Sequence, residues 1–285
     1  MCTAIEGRML STVMLGDFGD YLRKEELSSG TIEKYLRDVR GFAAWLGGRG
    51  VTKELAAQWK GQLAELGYAP TTVNSMLAAV NTFLRYAGWE DCRVKLLKIQ
   101  RQMFRTQDKE LTVDEYHRLT DTAKADGQER LALLLETMGA TGIRVSEVRY
   151  ITVEAARCGR AEITLKGKIR TILLASKLCR KLLKYAAKKK IASGEVFLTR
   201  SGRGVSRKQI WAEMKALCKR AGVEASKVFP HNLRHLFART FYRASRDIAK
   251  LADVLGHSSV ETTRIYLITT GIEHIRQLDR LGLIS

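Results

Sequence analysis

Between positions 32 and 46 the residues Ile32, Tyr35, Leu36, Val39, Phe42, Ala43 and Leu46 recur at offsets 0, 3, 4, 7, 10, 11 and 14, which is one face of an α-helix. Gly47-Gly48 follows and ends it. A second such run opens at Pro70-Thr71-Thr72, a helix-start signature, and continues through Val73, Met76, Leu77, Val80, Phe83, Leu84 and Tyr86 to Gly88. Weaker patterns near 11–26 and 52–66 complete four helices, so residues 11–100 read as a helical domain. The chain has 2 Pro in 285 residues and is 45% hydrophobic, so a sizeable core can form. The exposed faces of these helices carry Lys34, Arg37, Asn74 and Arg85. They could meet a phosphate backbone or be merely solvated.

From about 91 to 110 the periodicity breaks into a polar, basic stretch, and Thr112-Val113-Asp114-Glu115 then forms a capping box that opens a new domain. An apolar helix near 128–139, a loop at Gly139-Ala140-Thr141-Gly142 and a short helix from Val145 are expected. Two strand-like runs, 161–165 and 169–174, are joined by Lys166-Gly167-Lys168 as a tight hairpin. Helices follow near 176–190, 205–221, 231–244, 246–254, 258–267 and 271–281. The expected fold is mainly α with a small β-hairpin, the second domain spanning 107–285 and ending in a tail helix within 268–285.

Lys and Arg number 49 against 30 Asp and Glu, a formal charge of +19. Residues 155–220 hold 19 of those bases and 3 acids. Such concentrated charge on a foldable chain fits a surface that tracks phosphates, with nucleic acid favoured over membrane. No stretch offers about 18 uninterrupted apolar residues, and Glu6 and Arg8 interrupt what would be a signal peptide. The five cysteines, Cys2, Cys92, Cys158, Cys179 and Cys218, are widely spaced without a C-x-x-C pair, which suits reduced thiols in a cytoplasm.

His231 and His235 lie four apart in Pro230-His-Asn-Leu-Arg-His. This is a zinc spacing, but Asn232 stands where a metalloprotease needs its general-base Glu. His231 and Arg234, three apart, share a helical face and suit a phosphate oxygen. Arg144 begins a helix with Glu147 one turn on. His257 opens another, followed by Thr262-Thr263-Arg264-Ile265-Tyr266.

Taken in order, G-A-T-G-I-R-V-S-E-V, a lysine in a basic hairpin, H-N-L-R-H, L-G-H-S-S and T-T-R-I-Y resemble the tyrosine recombinase family of phage integrases and Xer-type recombinases. The resemblance covers essentially the whole chain. It implies an N-terminal four-helix SAM-like core-binding domain and an α+β catalytic domain. It also implies site-specific cleavage and rejoining of DNA through a 3′-phosphotyrosyl link, without metal, ATP or other cofactor. Arg144 and Arg234 would grip the scissile phosphate, His231 and His257 would hydrogen-bond it, and Glu147 would buttress Arg144. Lys166 would be the general acid for the leaving 5′-oxygen, with Lys168 its rival, and Tyr266 the nucleophile, with Tyr242 the rival phenol. Lys168 and Arg170 in the hairpin are further candidate DNA contacts. Two arginines and two imidazoles can stabilise the charge built on the phosphate oxygens, and His231 is the candidate to take the phenol's proton.

The implied partners are double-stranded DNA core sites, a homotetramer on two sites joined through the C-terminal tail, and a directionality factor, in a nucleoid-associated cytoplasmic setting without a membrane. A first helix near position 11 leaves no room for an arm-binding domain, which favours a simple core-site enzyme. The rivals are a type IB topoisomerase, a DNA-binding protein that has kept the fold without turnover, and a metal-dependent nuclease, for which no carboxylate cluster is present.

Overall fold

The two strong periodicities are helices in the computed structural model, which describes residues 8–99, 110–165, 168–257, 259–266 and 279–280. Helix α1 spans Thr12–Lys24, α2 Ser29–Leu46, α3 Lys53–Glu65 and α4 Pro70–Tyr86. Their ends are set by local chemistry. The Ser11 and Thr52 hydroxyls accept from the backbone N–H of Met14 and Leu55, and Gly47 takes the left-handed conformation, φ 59°, that stops α2. The apolar faces meet in an aromatic core, with Phe18 edge-on to Phe83 at 5.3 Å between centroids and Phe42 against Trp59 at 5.0 Å. These four helices belong to the first of two units, Met1–Arg101 and Gln102–Ser285.

An extended stretch after α4 is pinned by two asparagines. Asn81 both donates to the Val94 carbonyl (2.8 Å) and accepts from its N–H (3.0 Å). Asn74 does the same for Leu97, at 2.9 and 2.7 Å. A segment without a strand partner has to satisfy its backbone in this way.

The second unit opens with α5 (Val113–Ala125), where both halves of the Thr112–Glu115 capping box are formed. Helix α6 runs over Glu129–Thr141, through the Gly139-Ala140 pair expected as a loop. Gly139 is there for close approach rather than for a turn, since a Cβ on it would sit 2.8 Å from the Tyr116 ring of α5. The turn comes at Gly142, φ 63°, and a 3₁₀ helix follows at Val145–Tyr150. A short α7 (Val153–Cys158), not evident from periodicity, leads into β1 (Arg160–Leu165). Strand β2 (Lys168–Leu173) pairs with it antiparallel, Leu165 opposite Lys168 and Arg160 opposite Leu173. The connection is therefore residues 166 and 167, and Lys168 opens a strand instead of lying in the turn.

Next come α8 (Ser176–Lys188), α9 (Arg207–Ala221), α10 (Pro230–Ser245), α11 (Ile248–Leu255) and a short α12 (Val260–Arg264). The expected tail helix lies outside the described residues, apart from positions 279 and 280. The main core gathers Leu119, Leu134, Met138, Leu182, Ile210 and Leu233, while Ala238, Leu251, Leu255 and Tyr266 form a smaller cluster with Phe237, Phe241 and Tyr242 around it. Among the described residues no helix is long and apolar enough to cross a membrane. The architecture is mainly α with a small antiparallel sheet, the expected class.

Candidate active site

Arg234 lies one turn into α10, and it is 1% exposed. A buried guanidinium needs partners on every side, and the ends of two other helices provide them. Its Nη1 donates to the Gly142 carbonyl just beyond α6 at 2.5 Å, and its Nη2 to the Leu255 carbonyl closing α11 at 2.8 Å. Carbonyls at helix C-termini lack intrahelical donors and carry the negative end of the dipole, so they hold a cation well. Nη2 also lies 2.9 Å from His257 Nε2, and Nε donates to the Tyr266 hydroxyl at 3.3 Å. Burial pushes the Arg234 pKa below its ordinary value.

His257 follows Gly256, whose left-handed φ of 63° closes α11; the His257 N–H then bonds back to the Ala252 carbonyl at 2.9 Å. Its Nδ1 lies 2.8 Å from the Thr263 hydroxyl. Burial first, then the charges of Arg234, Arg144 and Arg170, lower its pKa to about 4, so the ring is neutral at pH 7. Tyr266, 5% exposed, stacks on His257 with centroids 5.6 Å apart. It also meets His235 at 4.5 Å and His231 at 5.8 Å.

Arg144 stands at the more open side, its side chain 45% exposed. Glu147 Oε1 accepts from Arg144 Nη1 and Oε2 from the Arg144 backbone N–H, each at 2.8 Å. Glu147 Oε2 also faces Arg170 Nη2 at 3.3 Å. Arg170 is therefore no surface contact: its side chain is 11% exposed and its Nη1 donates to Leu255 O. Burial lowers its pKa to about 10. Three arginines thus converge on one carboxylate and one helix end, leaving an excess of positive charge where an anion could sit.

The structure brings Arg144, Glu147, Arg234, His257, Tyr266 and, on the exposed side, His231 into one constellation. Lys166 lies outside the described residues, and of Lys168 only the backbone is described. In the first unit Lys34 pairs with Asp38 at 2.5 Å and donates to Ser75 O, Arg37 reaches the same carboxylate at 3.2 Å, and Arg85 is exposed. Asn74 is occupied by Leu97. Tyr242, the rival phenol, packs in the small core beside Tyr266.

Two members of the cluster, His235 and Thr263, escape the sequence reading, and a third, Arg170, is expected there only as a DNA contact of the hairpin. The spacing presents His235 only as a zinc ligand, although its ring touches Tyr266. Thr263 does not stand out within T-T-R-I-Y. Arg170 shares strand parity with the buried Ile172, opposite to the exposed Ile169 and Leu173, and a charge at an inward position is the one signal the sequence offers for it. Among the described residues no three His, Cys, Asp or Glu side chains come together to hold a metal.

Two family models match the chain, the phage integrase family over residues 109–270 and the phage integrase N-terminal SAM-like domain over 15–91. The tyrosine recombinase XerD of Brucella suis biovar 1 is 30% identical over 290 residues, covering 90% of this chain and 93% of that protein. The tyrosine recombinase XerA of Pyrococcus furiosus is 28% identical over 289 residues, covering 98% and 97%. In fold the chain is similar to a XerH site-specific recombinase in a post-cleavage complex with a palindromic difH substrate (TM-score 0.73, 18% identity, 96% of this chain and 84% of that one). It is also similar to a lambda integrase dimer bound to a COC′ core site (TM-score 0.72, 16% identity, 90% and 95%). With matched motifs, a helical first unit and the Arg–His–Tyr cluster in the second, the chain belongs to the phage integrase family of tyrosine recombinases.

Proposed function

We propose that this protein is a site-specific DNA recombinase that cleaves and rejoins duplex DNA through a 3′-phosphotyrosyl intermediate, with Tyr266 as nucleophile. One observation carries the choice of nucleophile: the Tyr266 hydroxyl accepts from the buried Arg234 at 3.3 Å, among three imidazoles and next to the arginine cluster. Phenols, with a reference pKa of about 10, are mostly protonated at neutral pH. Attack therefore needs a group to take the proton, and His231, on the exposed side, does so.

The Tyr266 oxygen attacks the phosphorus and the P–O5′ bond breaks. Lys166, in the connection between β1 and β2, gives the leaving oxygen its proton. Arg144 and Arg234 stabilise the charge on the nonbridging oxygens, and Glu147 holds Arg144 in place. The intermediate keeps the phosphodiester's bond energy, so a free 5′-hydroxyl from either duplex reverses the step without ATP. The first unit clamps the DNA through Lys34, Arg37 and Arg85, and the 155–220 block tracks the backbone. The working assembly is a tetramer on two core sites, joined by the 268–285 tail, in the cytoplasm with the nucleoid; a directionality factor selects integration or excision.

The test is covalent trapping on nicked duplexes made from the DNA flanking the protein's own gene, with the captured ends sequenced. A complex that resists denaturant with the wild type and is lost with Tyr266→Phe supports the reading. Capture by the Phe variant overturns the choice of nucleophile.

A further inference from the structure

Thr263 has no exposed surface, yet it carries a hydroxyl, and a buried hydroxyl without a partner is costly. Its partner is His257, whose Nδ1 lies 2.8 Å from Thr263 Oγ1. The other ring nitrogen, Nε2, is 2.9 Å from Arg234 Nη2. A guanidinium has only donors to offer, so Nε2 meets it with a lone pair. A neutral imidazole with a bare Nε2 carries its hydrogen on Nδ1, which then donates to the threonine oxygen. Thr263 also reaches the nucleophile, because its backbone carbonyl accepts from the Tyr266 N–H at 3.0 Å.

We propose that Thr263 is a positioning residue for strand cleavage: its hydroxyl accepts from His257 Nδ1–H, the tautomer that Arg234 imposes, and so holds the ring with Nε2 toward Arg234 and the phosphate. This rests on the recombinase reading above. With Nδ1 engaged, Nε2 is the nitrogen that faces the scissile group. It accepts from Arg234 while the ring is neutral. Once it takes a proton from solvent beside the phosphate's negative charge, it donates to a nonbridging oxygen. Threonine suits the position because its hydroxyl accepts in both states and its branched Cβ has few rotamers. The same residue links the ring and the Tyr266 backbone, so losing the hydroxyl frees the imidazole to flip without unfolding α12.

The experiment compares wild type, Thr263→Val and Thr263→Ser. Nitrogen-15 spectra of histidine-labelled protein report the His257 tautomer without DNA, and single-turnover cleavage at saturating nicked duplex reports the rate. Wild type and Thr263→Ser should show the Nδ1–H form. Thr263→Val should show a mixture of tautomers, with cleavage slowed by roughly tenfold, the order of effect of losing one hydrogen bond, and DNA binding retained. Thr263→Ser should cleave within about threefold of wild type. An Nε2–H tautomer in the wild type overturns the proposal even if the valine variant fails to fold. Equal slowing by Ser and Val also overturns it, since the methyl group would then be what matters. A wild type that captures no DNA speaks against the recombinase reading instead, while the nitrogen spectra still decide on the hydrogen bond.

Discussion

The Nε of Arg234 donates to the Tyr266 hydroxyl at 3.3 Å, and both side chains are buried. Removing that oxygen leaves a buried N–H without its acceptor, so Tyr266→Phe should cost about 1–3 kcal/mol of stability in addition to abolishing covalent capture of DNA. Urea unfolding and trapping on a nicked duplex read the two effects. Tyr242→Phe should leave capture intact.

Gly256 is constrained twice. Its φ is 63° and a Cβ on it would run into Arg170 Cδ. Gly256→Ala should destabilise by about 1–2 kcal/mol from the left-handed backbone alone, and by more from the clash. Combining it with Arg170→Ala removes the clash, so the double variant should lose less than the sum of the singles. Strict additivity in urea midpoints would mean that the two residues do not meet.

Acid should weaken the fold through His257. The unfolded chain takes up that proton near 6.5, while the native site holds the pKa at about 4. Below about pH 6.5 the unfolded state therefore binds more protons than the native one, and stability falls until about pH 4. His257→Gln should lose less stability than wild type between pH 7.5 and 4.5, as measured by urea unfolding.

The capping box that opens α5 should be worth about 1 kcal/mol, so Thr112→Ala lowers stability by that amount. The Thr112 hydroxyl accepts from the Glu115 N–H rather than bonding any member of the Arg234 cluster, and cleavage at saturating DNA should be unchanged.

Within the basic run, Lys188 is held by Glu129 at 2.8 Å, while Lys189 and Lys190 make no ion pair among the described residues. Replacing these two with Gln should flatten the dependence of DNA affinity on salt by about 0.9 in log–log slope for each phosphate that is no longer neutralised. Cleavage at saturating DNA should hold. A collapse of cleavage would contradict the separation between the charge that binds and the cluster that reacts.

Much of the helical scaffold is legible along the chain because its determinants are local. The 32–46 face, the Pro70 start, the Thr112 box and the stop at Gly47 each depend on residues within a few positions. Gly139 misleads for the opposite reason: its cause is the ring of Tyr116 on another helix, which no spacing within α6 records. Arg170 looks like one more base in a charged block until β2 turns its inward face toward Glu147.

By itself the amino-acid order determined the helical class, the chemical types of the reacting groups and the family they resemble, since periodicity and motif spacing are written along the chain. Only the tertiary structure decided that the carbonyls ending α6 and α11 hold Arg234, that His257 bridges Arg234 and Thr263, and that Arg170 joins Arg144 on Glu147. Those choices depend on which helix ends meet in space and on which polar atoms burial leaves in need of a partner.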